Sequence, residues 1–303
     1  MKARACCIAA LLIFAVTGAT QAAPAAKTQT LAPGVLRVGT YFVNPPFEYL
    51  SKGRKIGFEV DLMNEIARRL RLRPVFVDTQ WEVILRQMQE GRYDCIVGGI
   101  TITPARQQIL AWSDPYMTTT LSLIIDAFRS PEIGGLTDLR DAVVGVQAAT
   151  TDYNVAISMQ IRGEIKDVKV YSFDRLADAM TDLTAGRITA VMKVYPVAAW
   201  LTRQNPGLRI VAQIPHDPQP LGIGLSKNNS GLLAAVNAKL AEIKQDGAYG
   251  RLAKKMGCPV APEIINTRVP WAEKAALRST AGADAPGGGR GGPYRRPTRP
   301  VCV

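Results

Sequence analysis

The stretch YDCIVGGITITPARQQ, residues 93–108, decides how the rest of the chain is read. Its apolar run ends at Gly98-Gly99, as a strand does, and Thr103-Pro104 follows as the cap and first residue of a helix. That register sets Arg106 in the first helical turn, where the helix dipole is positive and a cation is disfavoured. A fixed positive charge beside a glycine-lined strand end makes sense if an anion comes to meet it.

Working backwards, VLRVGTYF (35–42) alternates like a strand, and FEVDLMNEIARRL (58–70) places Phe58, Leu62, Met63, Ile66, Ala67 and Leu70 on one helical stripe. RPVFVDT reads as a strand, WEVILRQMQEG as a helix stopped by Gly91, and YDCIVGGI as a third strand. The β-α-β-α-β order predicts a parallel sheet with helices on its faces and a ligand site at its strand ends. Beyond TTTLSLIIDA a second unit of the same kind runs from VVGVQAATTDYNVAISM through VKVYSF, DRLADAMTDLTAGR, ITAVMKV and YPVAAWLTRQ to LRIVAQI. PLGIGLSK then returns to the first unit, followed by two helices. Crossings near residues 116–120 and 217–221 predict a hinge, and a cleft that can close.

The expected organisation is a signal peptide (1–23), a first lobe (33–118), a second lobe (119–218), a return segment (219–265) and a Gly/Pro/Arg tail without fold (266–303). Lys2 and Arg4 precede an apolar run from Ala5 to Val16 and then small residues, which is a secretory leader. Cleavage falls after Ala22 or Ala23, with Ala25 a later option, and a soluble periplasmic protein is expected. The net charge of +12 includes the two leader cations and an excess of positives in the tail. What remains on the folded part is modest, and the basic run ARRLRLRP (67–74) closes a helix, where cations complement the dipole, so no nucleic-acid partner is expected. Cys95 reads as a buried small hydrophobe, whereas Cys258 and Cys302 could pair in an oxidising compartment.

LRVGTYFVNPPFEY, GFEVDLMNEIARRL and GRYDCIVGGITITPARQQILAWSDPY resemble periplasmic solute-binding proteins of the polar amino-acid class, the cleft proteins that feed ABC importers. VGVQAATTD, AGRITAVMKVYPVAAWL and KQDGAYGRLAKKMG are similar to later blocks of the same family, and the likeness runs in order from Val35 to Gly257. The resemblance implies a type II fold, two parallel-type sheets joined by a two-strand hinge, and a monomer that docks on importer membrane subunits.

It also implies a site. Arg106 would hold a ligand carboxylate with the planar fork that arginine supplies. Thr101 would assist by hydroxyl and N–H, and the Gly99 carbonyl would accept from the ligand amine. Thr150 and Thr151, opening a helix, would offer orphan N–H groups to the same carboxylate as the cleft shuts. Trp81, Tyr41 and Asn44 would border the ligand side chain, although Trp81 also reads as core. Tyr116 would steady the approach to the hinge. Where the family commonly has glycine, this chain has Ala149.

One departure matters more. The family's lobe 2 usually carries an aspartate that holds the ligand ammonium, and TAVMKVYPV places Val194 there, with Lys193 beside it and no register shift restoring a carboxylate. Losing the partner of a buried charge costs about 3–5 kcal/mol. Two ligands stay open: an acid lacking a free α-amine, such as a dicarboxylate or an acylated amino acid, or an ordinary amino acid with Asp152 substituting. Lys193 could meet a second acid group. A rival class is an enzyme resembling cyclohexadienyl dehydratases, with Glu48, Asp114 or Asp152 as general acid and His216 as the single histidine. No metal-ligand spacing, nucleophile elbow or phosphate loop occurs, so no catalytic residue, metal or cofactor is expected.

Overall fold

The computed structural model describes residues 29–214 and 217–255. The leader, His216, Cys258, Cys302 and the tail, with every expectation attached to them, lie outside the described residues.

The chain begins with β1 (Val35–Thr40). A small antiparallel sheet follows, made of β2 (Val43–Asn44), β3 (Glu48–Ser51) and β4 (Arg54–Ile56). Then come α1 (Phe58–Arg69), β5 (Arg73–Asp78), α2 (Trp81–Gln89), β6 (Cys95–Ile96), α3 (Pro104–Ile109) and β7 (Ala111–Trp112). The stripe read on α1 is its buried face, from Phe58 to Ala67, with Glu59 and Val60 buried as well and Leu70 left half-buried as the cap. The strand expected at 93–100 contracts to two residues, because Gly98 (φ 157°) and Gly99 (φ 62°) turn the backbone out of the sheet.

β8 (Met117–Thr119) carries the chain to β9 (Leu121–Asp126), β10 (Val143–Gln147), α4 (Thr151–Ile161) and β11 (Asp167–Tyr171). α5 (Leu176–Thr184), β12 (Ala190–Val194), α6 (Tyr195–Gln204) and β13 (Leu208–Gln213) complete this part. β14 (Gln219–Leu221) and β15 (Gly224–Leu225) lead back to α7 (Ser230–Gln245) and α8 (Ala248–Lys255).

Two five-stranded sheets result, ordered β5-β1-β6-β15-β7 and β11-β10-β12-β9-β13. Each has a parallel βαβ half, as read, but neither is parallel throughout. β15 runs antiparallel to β6 and β7, and β9 runs antiparallel to β12 and β13. The expectation of parallel-type sheets is thus corrected to mixed ones. LSLIID is correspondingly a central strand of the second sheet rather than a prelude to it. The reversed strands β9 and β15 are the ones that directly follow the two crossing strands, β8 and β14. β8 and β14 pair antiparallel, Met117 opposite Leu221 and Thr119 opposite Gln219, and form the two-strand connection foreseen at the crossings.

Each sheet-rich lobe buries its own apolar interior. Leu36, Val38, Leu62, Met63, Ile66 and Cys95 are fully buried in the first, and Leu123, Ile124, Val144, Ala190 and Met192 in the second. One cluster spans both: Phe173, which follows β11, packs among Tyr41, Trp81, Ile84 and Tyr93 of the first lobe.

Candidate functional site

The sequence logic of α3 holds in detail. Thr103 is extended (φ −126°, ψ 156°), its Oγ1 accepts from Arg106 N at 3.2 Å, and Pro104 opens the helix. Arg106 therefore sits in the first turn of a helix with no acidic residue in that turn. Its Nη1 donates to Thr101 O at 2.8 Å, Nη2 to Ala149 O at 3.4 Å, and the guanidinium lies 4.9 Å from the Trp81 ring centroid. Burial pulls its pKa below the ordinary arginine value, with Tyr41 and Asp152 opposing.

A narrow cavity of about 30 Å³ lies between the lobes, bounded by Arg106 and by Thr101, Gly99, Thr150, Thr151, Trp81, Tyr41, Asn44 and Val194, the residues read from the sequence as its ligand contacts, whereas Tyr116 lies outside it. Gly98, Asp152, Phe173 and Lys193 complete it. It has room for roughly two waters, so this is a closed cleft.

The glycine turn is held from two sides. The Tyr41 hydroxyl and Asn44 Nδ2 (3.3 Å) both donate to Gly98 O. Gly99 N donates to the Glu59 carboxylate at 2.9 and 3.1 Å, and the Tyr116 hydroxyl donates to the same carboxylate. A Cβ on Gly98 would fall 2.3 Å from Tyr41 Oη, so the close approach requires glycine. Glu48 is wholly buried nearby; burial first, then the charge of Glu59, raises its pKa well above the usual range. Tyr41 and Asn44 thus spend their polar ends on positioning Gly98 while their remaining surfaces line the cavity. The Thr101 hydroxyl is also committed, donating to Gln219 Oε1 at 3.0 Å.

From the second lobe, Thr150 caps α4. Its Oγ1 accepts from Tyr153 N at 3.3 Å and donates to Gln147 O at 2.5 Å. The cap thus takes one of the N–H groups that a helix start leaves over, and the residues that open α4, Thr150, Thr151 and Asp152, border the cavity. Ala149 adopts φ 59°, the left-handed conformation that glycine takes without cost, so the loop keeps its shape despite the side chain.

At the position of the missing aspartate, Val194 ends β12 and presents methyl groups. Lys193, only 4% exposed, donates to Gln147 Oε1 at 2.5 Å and lies 3.6 Å from Asp152 Oδ2. Asp152 is thereby the one acid candidate that reaches the cavity. Glu48 lies behind the glycine turn, and Asp114 is exposed elsewhere.

Phe173 was not foreseen. It contacts Tyr41 at 4.7 Å and Trp81 at 5.4 Å between ring centroids. Its N–H donates to Glu82 Oε1 at 3.3 Å, while Trp81 Nε1 donates to Ala148 O at 3.1 Å. Trp81 is therefore both core and cavity wall. Among the described residues no cluster of His, Cys, Asp and Glu could hold a metal, Cys95 is free and buried, and no helix is long and apolar enough to cross a membrane.

Two mixed-sheet lobes, a two-strand crossing and a closed cleft with one arginine over one tryptophan define a binding protein of the type II periplasmic architecture. The family model for bacterial extracellular solute-binding proteins, family 3, matches residues 36–257, and the chain belongs to that family. It is similar to the lysine/arginine/ornithine-binding periplasmic protein of Escherichia coli K12, at 30% identity over 76% of this chain and 90% of that protein. Two solved structures are also similar. An ancestral arginine-binding protein bound to arginine shows 32% identity and a TM-score of 0.67, over 74% of this chain and 98% of that one. An ancestral amino acid-binding protein, AncCDT-1, a precursor of cyclohexadienyl dehydratase, shows 32% identity and a TM-score of 0.66, over 74% and 95%.

Proposed function

We propose that the protein is the periplasmic binding component of an ABC importer and captures a small carboxylate-bearing solute by cleft closure. In this reading lobe 1 comprises residues 33–118 and 219–265, lobe 2 comprises residues 119–218, and the leader directs export. The single observation that carries it is Arg106: a half-buried guanidinium with its charge opposed by burial, at a helix start, facing a cavity also bordered by the N-terminus of α4. Both ends favour an anion, and a carboxylate matches the fork of the arginine. Thr150 and Thr151 come from the other lobe, so a ligand touching both sides stabilises the closed state. The relatives' transport role supports the importer as partner, with the protein acting as a monomer.

A binder is favoured over a catalyst because the proteins this chain resembles over most of its length are binding proteins, and the one acid that borders the cavity, Asp152, stands 3.6 Å from the Lys193 ammonium. The protein, purified unfolded and refolded to strip carried ligand, is heated with a panel of amino acids and organic acids. Each is matched by its primary amide. A ligand at a hundred times its dissociation constant adds about 2.7 kcal/mol, or about 5–10 °C for a chain of this size. Stabilisation by acids and not amides is expected; equal stabilisation by amides would remove the carboxylate from the reading. Recovery from osmotic-shock fluid, with a mature end after Ala22, Ala23 or Ala25, checks export.

A further inference from the structure

Resting on that carboxylate reading, we infer that the solute's second recognised group is uncharged and both donates and accepts a hydrogen bond, as an α-hydroxyl or an N-acyl amide does, and that Lys193 and Asp152 hold it. The ammonium of Lys193 has three N–H donors. Gln147 Oε1 takes one at 2.5 Å, and Asp152 Oδ2 at 3.6 Å stands beyond a good hydrogen bond. Asp152 Oδ2 is itself buried with no hydrogen-bond partner. A donor and an acceptor, both more than nine-tenths buried, are thus left with spare capacity side by side on the cavity wall across from Arg106.

Charge decides what fits. The pair sums to zero, so an ammonium drawn to Asp152 is repelled by Lys193 almost as strongly, yet still loses its hydration. A second carboxylate meets the mirror image of the same problem. A neutral group that gives a proton to Asp152 Oδ2 and takes one from Lys193 Nζ satisfies both without burying another ion. Val194 adds only methyl groups to this wall, so the second lobe brings no further charge to the cavity, and the Arg106 cation opposite is taken by the solute's carboxylate. The Phe173 ring, 5.6 Å from Nζ, further favours keeping the Lys193 cation in place.

Calorimetry on the refolded protein tests this with four matched series on the side chains of leucine, phenylalanine and glutamine. The series are the amino acid, the 2-hydroxy acid, the N-acetyl amino acid and the acid bearing hydrogen at that position, with succinate added. The 2-hydroxy or the N-acetyl series should bind at least tenfold tighter than the amino acid and the bare acid, and their order tells hydroxyl from amide. Lys193→Gln, which frees the Asp152 charge, should raise amino-acid affinity at least tenfold and weaken the preferred series. Should that variant fail to fold, Asp152→Asn must weaken the preferred series tenfold without admitting amino acids. Tightest binding by an amino acid, a bare acid or succinate overturns the inference but leaves the carboxylate reading standing. Unchanged binding by methyl esters overturns the carboxylate reading instead. Silence from every series in a folded protein also overturns the inference.

Discussion

Replacing Arg106 by methionine isolates the cation. Methionine keeps the stem that packs on Trp81, and the Thr103 cap of α3 does not depend on the guanidinium, since it uses the backbone N–H of residue 106. What disappears is the fork now directed to Thr101 O and Ala149 O, at 2.8 and 3.4 Å. The first bond is intralobe and the second is long, so the free protein should lose about 1–2 kcal/mol, roughly one charge-assisted hydrogen bond. Binding should suffer far more. A ligand carboxylate left in the cleft without its partner costs about 3–5 kcal/mol, which is two to four decades in dissociation constant. Arg106→Lys keeps charge but not the fork and should fall between, about one to two decades down. Calorimetry with whichever acid most raises the melting temperature measures all three proteins. Binding by the methionine variant within fivefold of wild type would refute the reasoning, because no other lining cation lies on lobe 1.

Three further outcomes follow from the surroundings. Glu59→Ala orphans Gly99 N and the Tyr116 hydroxyl in a buried site, and should destabilise by at least about 2 kcal/mol in urea unfolding; a loss under 1 kcal/mol contradicts the account of the turn. Ala149→Gly relieves a left-handed alanine worth about 1–2 kcal/mol but frees the unfolded chain by about 0.4–1 kcal/mol, so a net gain of up to about 1.6 kcal/mol is expected, and a loss refutes it. Asp182 accepts from Lys169, Tyr171 and Arg187, each at 2.6 Å, and these bonds hold its carboxyl far below the usual range. A carboxylate with a lowered folded pKa contributes stability that is present above its unfolded value, about 4, and is lost as pH falls toward the folded one. The melting-temperature gap between wild type and Asp182→Asn should therefore narrow from pH 7 to pH 3, and a constant gap counts against it.

The parts of this fold that could be read in the sequence are those governed by neighbours along the chain. The α1 stripe, the Thr103-Pro104 start and the double glycine each follow from local periodicity or backbone permission. Strand direction could not be read, since β9 is buried from Leu121 to Ile125 like any central strand, whichever way its neighbours run. Glu59 stands in the first turn of α1, where the dipole favours an acid without requiring burial. Its burial is explained by two donors, Gly99 N and the Tyr116 hydroxyl, that lie 40 and 57 residues away in sequence. Lys193 and Val194 should face opposite sides of β12, yet both border the cavity, because the strand ends there and a lysine side chain is long enough to curl back to Gln147. Phe173 gave no signal at all: its aromatic partners, Tyr41 and Trp81, are in the other lobe.

That last fact bears on how the cleft works. With about 30 Å³ inside, the closed form admits no solute, so entry requires the lobes to part. Among the described residues, the cross-cleft hydrogen bonds that oppose parting include Trp81 Nε1 to Ala148 O, Arg106 Nη2 to Ala149 O, and Phe173 N to Glu82 Oε1. They are not equivalent. A ligand carboxylate that engages Arg106 replaces the second, so that bond competes with binding, whereas the Glu82 bond lies outside the cavity lining and survives in the bound form. Removing it penalises the empty and the filled closed states alike. Glu82→Ala should therefore shift the ligand-free protein toward the open form by about 1 kcal/mol, the lower range for a bond to a charged acceptor near solvent. Scattering should show a larger ligand-free radius of gyration, and saturating ligand should restore the wild-type value. If the empty protein is almost wholly closed, affinity barely changes, because both closed states lose the same bond; if it is mostly open, affinity falls about fivefold. An affinity that rises in this variant would mean that the Phe173–Glu82 contact belongs to the empty state alone, and that the lobes meet differently around a solute.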